Sequence, residues 1–263
     1  LASIQGGFDA TVWTSATKTG VATNIGVAAR VNPIVDPGNI DVPGTGRRGL
    51  YDILLGTVEP IFNLDFKPVS ASFIDTYQDG QTVIPFLHLK FGTSLGITFT
   101  NVYVSTLSVE QRAGDALSAT SEMWAELGEA LAAASWGVPV TTPLRWLDTV
   151  LEIGGTPETE WHLWRYEVTN NLQRLPNVST RGTREIVGKN RAVSGLIQKD
   201  LRDFDEWTAL MTVASDTAKF NITIEIDGTE VLNSNCRWNR IEAPAGPEDL
   251  VLKRFPFTAL DLT

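Results

Sequence analysis

Cysteine occurs once in the 263 residues, at position 236. A lone cysteine excludes an intramolecular disulfide and a cysteine-built zinc site, so Cys236 reads as a small hydrophobe in a strand-like run. There are two histidines, His88 and His162, with no carboxylate or cysteine at ligand spacing. No metal and no cofactor is expected. Basic residues are outnumbered, 21 Lys and Arg against 31 Asp and Glu, for a formal charge of −10. Such a surface is repelled by nucleic acid and by anionic lipid, which argues against a conventional DNA-binding domain. No apolar run nears the roughly 18 residues of a membrane helix. The longest, Ala130–Val140, is broken by Gly137 and Pro139. The first seven residues, Leu1 to Gly7, show no basic stretch followed by an apolar core, so no signal peptide is read there.

Apolar residues make up 43% of the chain and charged residues 20%, enough to build a real core. The length suits two domains of ordinary size. A weak internal repeat supports that division. Gly188, Val193 and Leu196 stand 132 positions after Gly56, Ile61 and Leu64. Asn235-Cys236-Arg237-Trp238 stands 134 positions after Asn101-Val102-Tyr103-Val104. Nearly constant displacement over a long stretch is the trace of a duplicated unit. The expected domains are 1–136 and 137–263.

Alternation marks strands at 10–14, 24–31, 63–67, 86–91, 96–108, 161–169, 192–201 and 220–257. Trp146–Ile153 reads as a further strand, closed by Gly154-Gly155. The stretch 115–135 is ambiguous: strand to about Trp124, then helix or linker on the propensities of Ala, Glu and Leu. Phe204, Trp207, Leu210, Met211 and Ala214 place one apolar face on a helix over 203–214, and Ser72–Tyr77 is its shorter counterpart. Two polar stretches, 32–49 and 170–184, are rich in Pro, Gly, Asn and Asp and read as long loops.

Several letter patterns resemble chemistry without its context. Gly44-Thr45-Gly46-Arg47-Arg48-Gly49 fits G-x-G-x-x-G, but a Pro-rich loop precedes it where a dinucleotide site needs a strand. It reads as a hairpin tip offering Arg47 and Arg48 to a partner's carboxylates. Ser15-Ala16-Thr17-Lys18 fits S-x-x-K without its companion motifs. Glu158, Glu160, Glu225 and Asp227 supply carboxylates that a glycosidase pair would need, and are equally the solvated faces of strands. Eight tryptophans point to core filling or a subunit interface.

The order and spacing of the second half resemble a known family. Thr142-Pro143-Leu144-Arg145-Trp146 leads to Ile153-Gly154-Gly155. A polar loop opens at Val168-Thr169-Asn170-Asn171, and Asp205-Glu206-Trp207 and Asn235-Cys236-Arg237-Trp238 follow. The close is Ala245-Gly246-Pro247 and Phe255-Pro256-Phe257. This resembles the major tail tube proteins of long-tailed viruses, siphovirus-like phages or archaeal viruses, in the form with two tube domains per chain. The resemblance covers about 140–263 well and 45–124 more weakly.

The resemblance implies a mainly β fold with short helices: two tandem domains, each a β-sandwich or half-barrel with one short α-helix. It implies three chains per pseudo-sixfold ring, rings stacked into a tube, other tail proteins at the tube ends, and genomic DNA passing through without specific binding. The location implied is the virion tail, with synthesis in the host cytoplasm and no membrane or catalytic role. The long loops are the expected contacts between rings or subunits, through Asp36, Asn39, Arg47 and Arg48 in the first half and Asn171, Arg174, Arg181 and Arg184 in the second. The rival readings are a cell-surface or secreted filament or adhesin subunit and a carbohydrate-active enzyme.

Overall fold

A computed structural model of the chain describes residues 10–14, 17–31, 34–36, 52–54, 58–91, 95–132, 142–177, 183–200, 219–240 and 252–259. The fold is mainly β. The first half contributes β1 (Ala10–Thr14), β2 (Thr17–Val31), β3 (Ile34–Asp36), β4 (Asp52–Leu54), β5 (Val58–Pro68), α1 (Ser72–Tyr77), β6 (Ile84–Phe91), β7 (Leu95–Arg112) and β8 (Ser118–Ala132). The second contributes β9 (Thr149–Ile153), β10 (Thr156–Pro157), β11 (Trp161–Thr169), β12 (Gln173–Pro176) and β13 (Thr183–Val187). It continues with β14 (Ala192–Asp200), β15 (Phe220–Ile226), β16 (Thr229–Trp238) and β17 (Leu252–Ala259).

The alternating stretches form strands where expected because one face of each is buried. Leu87 and Leu89 on β6, Trp164, Tyr166 and Val168 on β11, and Ile222, Ile224 and Ile226 on β15 are all inside. Trp164 is fully buried, whereas Trp161, before a register irregularity in β11, is only half-buried. The helix α1 has no side-chain N-cap. Burial of Phe73 and Ile74 holds it, with the Phe73 ring edge-on to Phe66 at 5.7 Å. A six-residue helix needs such packing, since its own hydrogen bonds do not sustain it.

Four elements differ from the sequence expectation. Ala125–Ala132 is strand, because β7 runs for 18 residues and β8 pairs along nearly all of it; the partner overrides helix propensity. Trp146–Asp148 is a 3₁₀ turn, and the strand starts only at Thr149. Short strands border or enter both polar stretches: β3, inside the first, pairs with β4 just beyond it, and β12, inside the second, pairs with β13 at its end, each pair a two-stranded sheet of its own. The expected helix at 203–214 and the boundary at 136–137 lie outside the described residues.

All other strands join one 13-stranded sheet. Within it the two halves repeat one order of antiparallel pairing. The first half runs β2–β5–β8–β7–β6–β1. The second runs β11–β14–β17–β16–β15–β9. Registers match at corresponding pairs in several ladders. Val102 faces Ala125 as Cys236 faces Ala259. Ile25 faces Leu64 as Trp164 faces Ile197. Val35 faces Ile53 as Arg174 faces Ile186. Pairing therefore matches Leu64 with the buried Ile197, one residue on from the Leu196 that letter matching selects.

The halves differ in one link. In the first, β1 also pairs with β2, so six strands close a hydrogen-bonded circuit. Among the described residues of the second, no such link joins β9 to β11. The outer edge of β11 pairs instead with Thr106–Arg112 of β7, so β7 belongs to both halves. One continuous cluster of buried apolar side chains runs through the two, from Phe62, Leu64 and Phe99 to Ile197, Phe255 and Phe257.

Candidate assembly interface

The seam between the halves shows what kind of contact this chain can make. Strand β6 leaves β7 at Val102, and β11 takes over the same edge at Thr106. The strand is bent around this gap: Asn101, just before it, has a φ of 50°, and the β7–β8 register slips between Val104 and Thr106. Asn170, the residue after β11, fills it. Its backbone N–H donates to the Ser105 carbonyl at 2.9 Å. Its Nδ2 donates to the carbonyls of Val104 at 2.9 Å and Gln78 at 3.0 Å. Gln78, at the end of α1, donates through Nε2 to the Val231 carbonyl at 2.7 Å and accepts from the Tyr166 hydroxyl at 3.2 Å. Burial pushes the Tyr166 hydroxyl well above its usual pKa, so it stays a neutral donor. Gly80, at φ 66°, lies so close that a Cβ there would collide with the Asn170 carboxamide. The Asn170 Oδ1 is buried without a hydrogen-bond partner, and the donors of the cluster, each paired, couple the elements they join.

A second contact lies on the outer face. The β12–β13 hairpin of the second half crosses β8 of the first. Arg174 Nη1 donates to the Ala125 carbonyl at 2.9 Å and to Thr183 Oγ1 at 3.0 Å, and Nη2 to the Pro60 carbonyl at 2.7 Å. Its guanidinium sits 5.1 Å from the centre of the Trp124 ring, a cation–π arrangement. Burial lowers the Arg174 pKa, Glu59 and Glu126 oppose that shift, and the group remains a cation. Beside it, burial raises the Tyr103 pKa, and the charges of Glu126 and of Glu185 on β13 add to the rise.

The expected contact residues divide accordingly. Arg174 is engaged within the chain. Asn171, at φ 43°, donates from Nδ2 to the Asn190 carbonyl at 2.7 Å and closes the base of the hairpin. Arg184 is exposed on β13. Asp36 ends β3 opposite Asp52. Asn39, Arg47, Arg48 and Arg181 lie outside the described residues. Sequence reasoning missed Asn170, Gln78 and Trp124. A polar residue just past an alternating strand was the only available signal for Asn170.

Of the carboxylates weighed for catalysis, Glu158 and Asp227 have structural placements. Glu158 pairs with Lys199 at 3.1 Å. Asp227, at φ 50°, turns the chain from β15 to β16 with Gly228. His162 Nε2 stands 2.6 Å from Asp200 Oδ1, a cross-strand pair that spacing does not reveal. Among the described residues no three His, Cys, Asp or Glu gather where they could hold a metal ion. Burial raises the Cys236 thiol to about 11, opposed by its hydrogen bonds to Ser234 and Ile222; so high a pKa leaves little thiolate. No protein-family model matches the chain, and no curated protein matches it.

Proposed function

We propose that the chain is a structural subunit that associates with copies of itself into stacked rings, forming the tail tube of a long-tailed virus and acting without catalysis or cofactor. The observation that supports this is the seam. Two units with the same pairing order meet head to tail, edge β7 against edge β11, with the hairpin of one laid over the other. A head-to-tail contact between like units can be repeated from chain to chain, closing into a ring or continuing as a filament. Sheet edges are the natural means, since their unpaired N–H and C=O groups template a further strand. The net charge of −10 suits a conduit for DNA, because cationic walls would bind phosphate. On this reading the two halves descend from one duplicated tube domain.

The test is negative-stain electron microscopy over a concentration series, with sedimentation velocity. Stacked rings or tubes with a central channel are expected. Solid fibrils without a channel would favour a surface filament subunit. A monomer at every concentration would overturn the reading.

A further inference from the structure

The β7–β11 ladder that joins the halves runs from Thr106 to Arg112 along β7. Asn170 secures the Thr106 end through its bond to the Ser105 carbonyl. Near the other end, two buried side chains meet across the ladder. Trp164 on β11 and Gln111 on β7 are register partners, so they stand on the same face of the sheet. Trp164 is fully buried and Gln111 is 1% exposed.

Each carries one polar atom that finds no hydrogen-bond partner among the described residues: Trp164 Nε1 and Gln111 Oε1. Such orphans are rare in a folded interior, because each forfeits its hydration and gains nothing in return. The two are complementary. An indole N–H only donates, and a carboxamide oxygen only accepts. The amide's orientation is settled by its nitrogen, since Gln111 Nε2 donates to the Asp115 carbonyl at 2.8 Å and the Arg112 carbonyl at 3.2 Å. Turning the amide over would set its oxygen against both carbonyl oxygens.

The two side chains are held from different directions. The Gln111 amide is bound to the turn beyond the end of β7, where the Asp115 carbonyl also accepts from the Trp146 N–H at 3.2 Å. The Trp164 ring stacks with Tyr166, at 6.2 Å and 14°. Tyr166 pairs with Val109, back along β7. Cross-strand neighbours have Cβ atoms about 5 Å apart. One molecule with a hydrogen bond of about 2.9 Å to each side spans a gap of that order. It must accept from the indole, donate to the amide and fit inside a packed core, which describes water. Buried waters serve polar groups that the fold leaves unpaired, with two to four bonds each.

We propose that a single water molecule is bound between Trp164 Nε1 and Gln111 Oε1 as a fixed part of the joint between the halves. It accepts from the Trp164 N–H and donates to the Gln111 oxygen. The ladder is then secured at both ends, by Asn170 at one and by the water at the other. The bonded path continues through Gln111 to Asp115 and Trp146. Buried apolar side chains stand beside the site, Ile197 opposite Trp164 and Val109 opposite Tyr166, so the water exchanges slowly. The site does not depend on how the chain assembles.

The test is nuclear magnetic resonance on protein isotope-labelled at the indole nitrogens. The Trp164 signal is assigned by its loss in Trp164→Phe or by its contact with the Tyr166 ring. Its indole proton should show a cross-peak to water, opposite in sign between NOE and ROE spectra, the mark of a held water and not of proton exchange. Gln111→Met removes the acceptor; the cross-peak should be lost and the indole proton should move upfield. A high-resolution density map of the wild type gives the same decision without a substitution, as a peak about 2.7–3.2 Å from both atoms. An indole proton with no water cross-peak, a direct Trp164–Gln111 bond in the map, or a cross-peak that survives Gln111→Met overturns the bridge.

Discussion

The first half closes its six strands into a circuit, and the second, with the same pairing order, stays open at one place. In the first, two residues separate β1 from β2, and the short connection brings β1 back against β2. In the second, β9 turns at Gly154 and Gly155, both at positive φ, into the two-residue β10, and β11 follows beyond it. Positive φ at both central residues is the hairpin turn that glycine accepts most easily. Closure of a β unit thus hangs on a single connection. Leaving it open frees the edge of β11, which becomes the joint to the first half.

The comparison extends to the core. Where Phe62 faces Met123 in the first half, Gly195 faces Phe257 in the second. The large residue has changed strands, and a Cβ at Gly195 would run into both the Phe257 ring and the Arg165 carbonyl oxygen. The strongest way to break the parallel is Gly195→Phe, which places two large side chains at one level. It is expected to cost about 3 kcal/mol or more, read as a lowered urea midpoint. Gly195→Phe with Phe257→Met removes the clash with the ring but not the one with the Arg165 carbonyl, so it should recover only part of that loss. A double variant no better than the single would place the obstacle at the Arg165 backbone, and one as stable as the wild type would show that this backbone gives way.

Next in size is the seam. Asn170→Leu leaves the buried carbonyls of Val104 and Gln78 without their donor, at about 2–3 kcal/mol. Because the residue joins the halves, the variant should also split unfolding into two transitions. Hydrogen exchange would show the open half losing protection at lower denaturant than the closed one. A single sharp transition with an unchanged midpoint would mean that β7–β11 pairing alone couples them.

Arg174→Ala should cost about 1–2 kcal/mol by removing the carbonyl bonds and the contact with Trp124. Lysine should not restore it, since an ammonium cannot span two carbonyls and an aromatic face as a planar guanidinium does. The check is a denaturant midpoint for each variant, with Trp124 fluorescence shifting red as the ring meets water.

The smallest effect concerns pH. Burial lowers the His88 pKa in the folded first half below its unfolded value of 6.5. The unfolded chain then binds the proton more readily, so the contribution of His88 is full above pH 6.5 and declines as pH falls below it. His88→Gln should flatten the fall in thermal midpoint between pH 7 and 5. An equal slope in both proteins would assign the pH dependence to carboxylates.

Much of the fold could be read from local pattern. Trp161–Thr169 and Phe220–Ile226 alternate because each buries one face, and the repeat of Asn101–Val104 at Asn235–Trp238 matches the observed registers. What escaped reading depends on partners distant in sequence. Ala125–Ala132 has the composition of a helix and becomes strand only because β7 lies beside it. The β3–β4 and β12–β13 hairpins are too short, and too rich in turn-forming neighbours, to show alternation. Asn170 carries no mark of its role, since its acceptors come from β7 and the end of α1, 66 and 92 positions away. The closed circuit and the open one could not be told apart at all, because each is a statement about one non-local pairing.

The 18-residue β7 has a mechanical consequence. Its first part is held by β6 and its last part by β11, while β8 runs along the other side of both. A hinge between the halves would have to break this strand in its middle and tear it from β8. The two units therefore move as one stiff tile. Any wall built from such tiles flexes at the joints between chains and not within them, and its curvature is set where one copy grips the next.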